Sequence, residues 1–334
     1  MQKATAQTRT GAQSKTFGER LKALLNQPEF ILFLVIVLLL VGGAVVNPRT
    51  MGINNLKIMT RDTAILAIAA IGVAFTILTG GIDLSVGSIV GLAGVMSAYF
   101  MMNWNLPIWL SIVLTLGIGL LIGLYHGLFV TKLHMHGFLI TLVTMGLARG
   151  AILVLTNAFP ITGLSEAFGQ LGQGYLFFNI IPIPVVIAAV VAGLAFFVLR
   201  YTFIGRQIYA AGGNVEAARF SGVNVDARII LCYVVSVLCA SIVGMIQAAR
   251  MGLGHPGSGE GYELLAITAA ILGGVSFSGG QGGVIGILVG SLLIGVLQNE
   301  LVMLNVNPYW HKVVISLVLL AAITFDYARR RRRV

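Results

Sequence analysis

Apolar residues in this chain gather into long runs, near 30–46, 63–80, 86–102, 107–129, 138–156, 182–200, 229–249, 263–280, 283–300 and 308–327. Each approaches the roughly 20 residues that a helix needs to cross a bilayer, so the pattern predicts about ten transmembrane helices. The expected fold class is all-α integral membrane, with cytoplasmic N- and C-termini and some discontinuous helices. The chain divides into a basic N-terminal tail (1–28) with a short amphipathic helix near 17–25, a transmembrane domain (29–328) and a basic C-terminal tail (329–334). Within the transmembrane domain the longest inner loop is 201–228.

Charge supports that count independently. An even number of spans puts both termini on one side, and with the termini inside, 15 of the 21 Lys and Arg residues are inside and 5 outside, the last being Arg149 within a run. Lys and Arg accumulate on cytoplasmic loops, and the long loop 157–181 has neither, as an outside loop should. A hydrophobic fraction of 57%, a mean hydropathy of +0.96 and only 10% charged residues exclude a water-soluble domain. The net charge of +10 does not point to nucleic acid, because the basic residues sit between apolar runs rather than on a polar face. About 28 polar residues precede the first run and no Ala-x-Ala-like site follows it, so that run is expected to remain as an anchor.

Gly119, Gly123 and Gly127 recur every fourth residue, as do Gly282, Gly286 and Gly290. Each set predicts a smooth strip on one helix face, where neighbouring backbones approach closely. With Ile122-Gly123 echoed by Ile294-Gly295, they hint at an internal duplication. Cys232 and Cys239 lie on one apolar segment, too far apart to bridge, and read as packing residues. His134 and His136 lack a third ligand type nearby, so no metal or cofactor is expected.

In the inner loop, Asn214 is a good N-cap, Glu216 falls where an anion meets the helix dipole and Gly222 suits the stop, which predicts a helix of about two turns. Ala217 and Ala218 would leave a low surface for docking, with Arg206 and Arg219 supplying charge. The segment Glu216-Ala217-Ala218, three residues, then Gly222 resembles the cytoplasmic Glu-Ala-Ala loop of ABC importer permeases. That resemblance implies that Gly205, Arg206, Asn214, Glu216, Ala217, Ala218, Arg219 and Gly222 form a coupling helix and its surroundings, docked on a separate ATPase subunit. Gly80-Gly81-Ile82-Asp83-Leu84-Ser85-Val86-Gly87-Ser88, Gly212-Gly213-Asn214, and Gly261-Tyr262-Glu263-Leu264 leading to Gly273-Gly274-Val275-Ser276 and Gly279-Gly280 are similar to the monosaccharide branch of these permeases, the ribose, arabinose, xylose and autoinducer-2 type. The resemblance covers about residues 55–326. It implies a periplasmic or extracellular lipid-anchored sugar-binding protein as partner, and a second permease copy or a sister permease. The outer rim, including parts of 157–181 and 250–262, would receive the binding protein. The chain departs from the branch at His126, usually Asn, and at Gly137, usually Pro.

Polar residues inside apolar runs need a reason, since a charge at a bilayer centre costs roughly 2.5–3.5 kcal/mol on insertion scales. Asp83, beside Gly80, Gly81 and Ser85, either caps a helix that begins near Leu84 or lines the translocation path. His126 and Asn299 are further candidates for that path, His126 alternatively being a helix-end histidine. Arg149 needs a carboxylate or backbone carbonyls, and Glu300 raises the same question. No Gly-x-x-x-x-Gly-Lys-Ser/Thr phosphate loop occurs, nor any catalytic constellation, so the chain is expected to be a non-catalytic transport subunit. The alternative is an ion- or proton-coupled secondary carrier of a small polar solute. Few charged contacts are expected in the path of a neutral polyol.

Overall fold

The computed structural model describes residues 28–331. The N-terminal tail, with its expected amphipathic helix, and residues 332–334 lie outside the described residues. The chain forms helices α1 (Pro28–Val46), α2 (Ile53–Leu78), α3 (Val86–Met102), α4 (Ile108–Lys132), α5 (Gly137–Thr156), α6 (Glu166–Gln173) and α7 (Ile183–Tyr201). There follow α8 (Phe203–Gly213), α9 (Val215–Phe220), α10 (Val225–Met251), α11 (Tyr262–Leu272), α12 (Val284–Met303) and α13 (Pro308–Arg331). Six of them, α2, α4, α5, α7, α10 and α12, are long and apolar enough to cross a membrane, beside shorter apolar stretches at Leu32–Val46, Val86–Met102, Tyr262–Leu272 and Pro308–Thr324.

Apolarity all round a helix demands burial on all sides, and α2 is the case in point: every residue from 63 to 78 is buried. It runs antiparallel to α10, with Asp62 paired to Arg250 at one end and Gly72 facing Ser236 and Cys239 further along. Helix α10 also packs on α3 and α4. The strip on α4 meets α10 directly, since a Cβ added at Gly123 would stand 2.6 Å from Val234 Cα and one at Gly127 2.6 Å from Ile230 Cα. Gly286 and Gly290 of α12 face the backbone of Ala269 and Gly273 in the same way. Gly282 does not share their helix face, because it precedes α12 in irregular backbone at φ +148°.

Segment 157–181 folds over the end of the bundle that holds the start of α2 and the end of α10. Strand β1 (Ile161–Thr162) pairs with β4 (Leu253–Gly254), and β2 (Tyr175–Leu176) with β3 (Ile181–Pro182), both antiparallel. Phe168 of α6 is buried against Met245, Ala248 and Ala249. The opposite end carries α8 and α9.

Two elements differ from the hydropathy pattern. Helix α2 starts ten residues before the apolar run at 63, because the polar residues of its first turns have partners: Asn55 exchanges amide hydrogen bonds with Asn299, Arg250 holds Asp62, and Arg61 lies over the Tyr175 ring. The run 263–280 is helical only to Leu272, and the glycine-rich segment after it turns back irregularly toward α12.

Candidate functional site at the broken helices

Three segments far apart in sequence meet where α2 ends. Gly280 N–H donates to the Leu78 carbonyl at 2.9 Å, and Gly212 of α8 lies so close to that carbonyl and to Gly280 that a Cβ there would collide with both. A Cβ at Gly279 would stand 2.9 Å from Gly80 N and 2.9 Å from the Gly212 carbonyl. Backbone thus touches backbone between α8, the end of α2 and the turn preceding α12, a contact that tolerates no side chain. Tyr209 ties α8 to the same turn by donating to the Gly282 carbonyl at 2.8 Å. Burial holds its phenol above the ordinary range against the opposing pull of Arg200, so it stays a donor. Gly279, Gly280 and Leu78 were not singled out as a junction by the sequence, which shows their glycines but not that they converge.

Beyond the junction, α9 is built as its residues dictate. Asn214 Oδ1 accepts from Ala217 N–H at 2.9 Å as the N-cap, and Gly222 takes φ +79° at the stop. Its faces differ from the expected docking surface: Ala218 turns inward against Ala211 and Val225, while Glu216 and Ala217 are exposed. The dominant exposed group is Phe220, 93% accessible, which the motif pattern passed over. Arg219 pairs with Asp226, which also holds Lys132, so α9 is clamped to α10 and α4. Gly205 packs on the end of α7, and Arg206 lies beside a cavity of about 1150 Å³ between α7 and the start of α12.

The break at 79–85 is closed internally. Asp83 is fully buried; one carboxylate oxygen accepts from Ser85 N–H at 2.9 Å and Ser85 Oγ at 2.6 Å, and the other from Ser236 Oγ of α10 at 2.7 Å. Leu84 N–H donates to Thr141 Oγ1 at 3.1 Å. The freed backbone therefore finds its partners within the protein, as irregular chain at membrane depth must. Gly80 supplies φ +80°, and Gly81 makes room for the Tyr233 hydroxyl.

His126 is also fully buried and lines no open path, its Nε2 lying 2.9 Å from Thr144 Oγ1 and its ring edge-on to Tyr233. A Cβ at Gly137 would collide with the Tyr233 hydroxyl. The two departures, His126 and Gly137, thus meet at one tyrosine. Asn299 is remote from this place: it forms a reciprocal amide pair with Asn55 at 2.8 and 3.0 Å, joining α12 to α2. Glu300 is buried over Gly43 of α1, and its oxygens have no hydrogen-bond partner among the described residues.

A second break follows α10. From Gly254, packed on Ala98 and Val95, the chain runs without helix along α3 to Gly259, packed on Gly87 and Val90. Gly87 lies 15 residues from Met102, about 22 Å along the helix axis, so 255–260 runs inward along α3 from the end that carries Gly254. Arg149 secures this descent. Its Nη1 donates to the carbonyls of Ser258 at 2.8 Å and Pro256 at 3.2 Å, and its Nη2 to that of Gly87 at 3.3 Å. Of the two partner types open for Arg149, backbone carbonyls are the ones used.

A largely helical bundle with apolar spans, two internally satisfied breaks and a capped helix at one end is the architecture of a polytopic membrane protein. Residues 55–323 match the family described as "Branched-chain amino acid transport system / permease component", and the chain belongs to that family. It is similar to the ribose import permease protein of Haemophilus influenzae, 39% identical with 88% of this chain and 91% of the relative covered. The ribose import permease protein of Escherichia coli strain K12 is 38% identical (96% and 98% covered), and the D-allose transport system permease protein of the same strain 32% (88% and 90%). No solved structure matches the chain at a significant level. The chain is a non-catalytic permease of the monosaccharide importer branch and a multi-pass protein of the bacterial inner membrane.

Proposed function

We propose that this chain is the membrane-spanning subunit of an ATP-driven importer that passes a monosaccharide or similar small polyol, delivered by an external binding protein, through a pore formed with a second permease. The names of the ribose and allose relatives support the cargo class. The charge asymmetry supports ten spans with both termini and loop 201–228 in the cytoplasm. A separate ATPase would then meet α9, with Phe220 as an apolar knob and Glu216 as its polar neighbour.

The observation that carries the coupling role is the backbone junction of Gly212, Leu78 and Gly280. A push on α8 and α9 has no soft side chain to absorb it there, and reaches the end of the central helix and the break at 79–85 directly. Packed elements transmit such displacements as rigid-body shifts. Asp83 is sealed from solvent, which counts against its serving as the relay of a proton- or ion-coupled carrier.

The test is the reconstituted complex. Phe220→Ala and Glu216→Ala are expected to weaken co-purification of the ATPase by about tenfold or more, the effect of losing an interface anchor of about 1.4 kcal/mol or above. Gly222→Leu is expected to abolish uptake while membrane insertion persists. Normal uptake in all three variants would refute the coupling role of α9.

A further inference from the structure

We propose that the recess beside the second break is a transit site for the cargo, with Glu263 as its hydrogen-bond acceptor and Arg149 as its donor. The proposal rests on the reading of the chain as a sugar-type permease. The recess has a volume of about 420 Å³ and is walled by Ser88, Arg149, Pro256, Gly257, Glu260 and Glu263, with Met145 and Leu153 one turn either side of Arg149 on α5. That volume falls in the roughly 300–1,000 Å³ range of small-molecule sites. Charged and polar groups interleaved with apolar side chains suit a molecule with hydroxyls on its rim and C–H faces between them.

Of the buried candidates for a path, Asp83 and His126 are closed to solvent, whereas Glu263 is open to this recess. Glu263 begins α11 and leans over Gly87, where a Cβ would occupy the place of its carboxylate. No side chain among the described residues donates to it; the backbone N–H groups of Gly261 and Glu263 do, and the remaining lone pairs are available to the hydroxyls of a ligand. Arg149 uses three of the five N–H bonds of a guanidinium on carbonyls, which fixes its position and leaves two for a ligand. Ser88 is fully buried behind this wall, its Oγ donating to the Ser85 carbonyl at 2.7 Å.

The charge balance selects the ligand class. Arg149 stands against Glu263, and Lys312 is paired with Glu260 at 3.2 Å. Two cations and two carboxylates leave no net charge, so the recess offers strong hydrogen bonds without attracting an anion or a cation. A neutral polyol is the solute such a wall retains, weakly enough to release it. Charged groups are thus concentrated beside the path, contrary to the expectation that it would hold few.

Two measurements on the full complex in proteoliposomes test this, with D-ribose as the probe. In Glu263→Gln, ribose imported per ATP hydrolysed should fall about tenfold, the effect of losing a charged hydrogen bond, with ATPase activity still stimulated by the loaded binding protein. Glu263→Asp should recover part of it. Since Cys232 and Cys239 are buried, Leu153→Cys on the wall of the recess provides a reactive thiol in this chain that leaves Glu263 and Arg149 in place, and millimolar ribose should slow its modification by a small methanethiosulfonate. Unchanged import per ATP in Glu263→Gln, loss of ATPase stimulation together with import, or labelling indifferent to ribose would each overturn the site. A wild-type complex without ATP-dependent uptake of ribose, xylose or allose would instead overturn the functional reading, and the transit site with it.

Discussion

The two breaks in the bundle solve one problem in opposite ways. Both expose backbone groups at membrane depth, where each must find a partner inside the protein. At 79–85 a carboxylate gathers donors: Asp83 accepts from Ser85 and Ser236 and is sealed from solvent. At 255–260 a cation gathers acceptors: Arg149 donates to the carbonyls of Gly87, Pro256 and Ser258, and the chain it holds borders an open recess. The sealed break lies next to the junction with α8, and the open one lies deeper along α3. A sealed, tightly bonded break suits an element that transmits force, and an open one suits an element that meets a solute.

Breaking the sealed side should cost the most. In Asp83→Ala three donors lose their acceptor where water cannot replace it, at roughly 1–3 kcal/mol each, so a loss of about 3 kcal/mol or more is expected. It would appear as a large drop in thermal midpoint of the detergent-solubilised protein and as poor yield. Asp83→Asn, which keeps an acceptor, should lose less. On the open side, Arg149→Met orphans three carbonyls that water in the recess can reach, so about 1–3 kcal/mol is expected. Arg149→Lys should fall between, because an ammonium cannot reproduce the fork of a guanidinium. Equal losses in Asp83→Ala and Arg149→Met would erase the distinction between the two breaks.

The sequence made one of these breaks legible and hid the other, for physical reasons. Asp83 between Gly80 and Ser85 stands out because a carboxylate in an apolar run is rare. Segment 252–262 reads as an ordinary polar loop between spans, since nothing local reveals that 255–260 turns inward along α3. Its signal lay elsewhere, in the unexplained Arg149, whose partners are carbonyls and so leave no trace in side-chain pattern. The glycine strip on α4 was legible from its spacing alone, and so was the capped helix α9. The direction of Ala218 and the exposure of Phe220 were not, because a helix of six residues is too short for its periodicity to fix which face turns inward. The pairing of Asn299 was not legible either, because its partner, Asn55, lies 244 positions away.

The smallest effects lie at Tyr233, where the sealed break meets the two departures from the family pattern. Its hydroxyl sits between Gly81 and Gly137 and has no hydrogen-bond partner among the described residues. Gly137→Ala drives a methyl into that hydroxyl, and overpacking of this kind costs about 1–3 kcal/mol. Tyr233→Phe removes a buried polar group that satisfies nothing, so the thermal midpoint should stay level or rise, by the equivalent of up to about 1 kcal/mol. The double variant is the sharper measurement. With the hydroxyl gone, Gly137→Ala loses most of its penalty, and the two changes should couple by about 0.5 kcal/mol or more, as expected of residues in direct contact. If they add independently, Gly137 is not making room for Tyr233. If Tyr233→Phe alone is strongly destabilising, the hydroxyl has a partner, and the account of Gly137 as room made for an unpaired group falls with it.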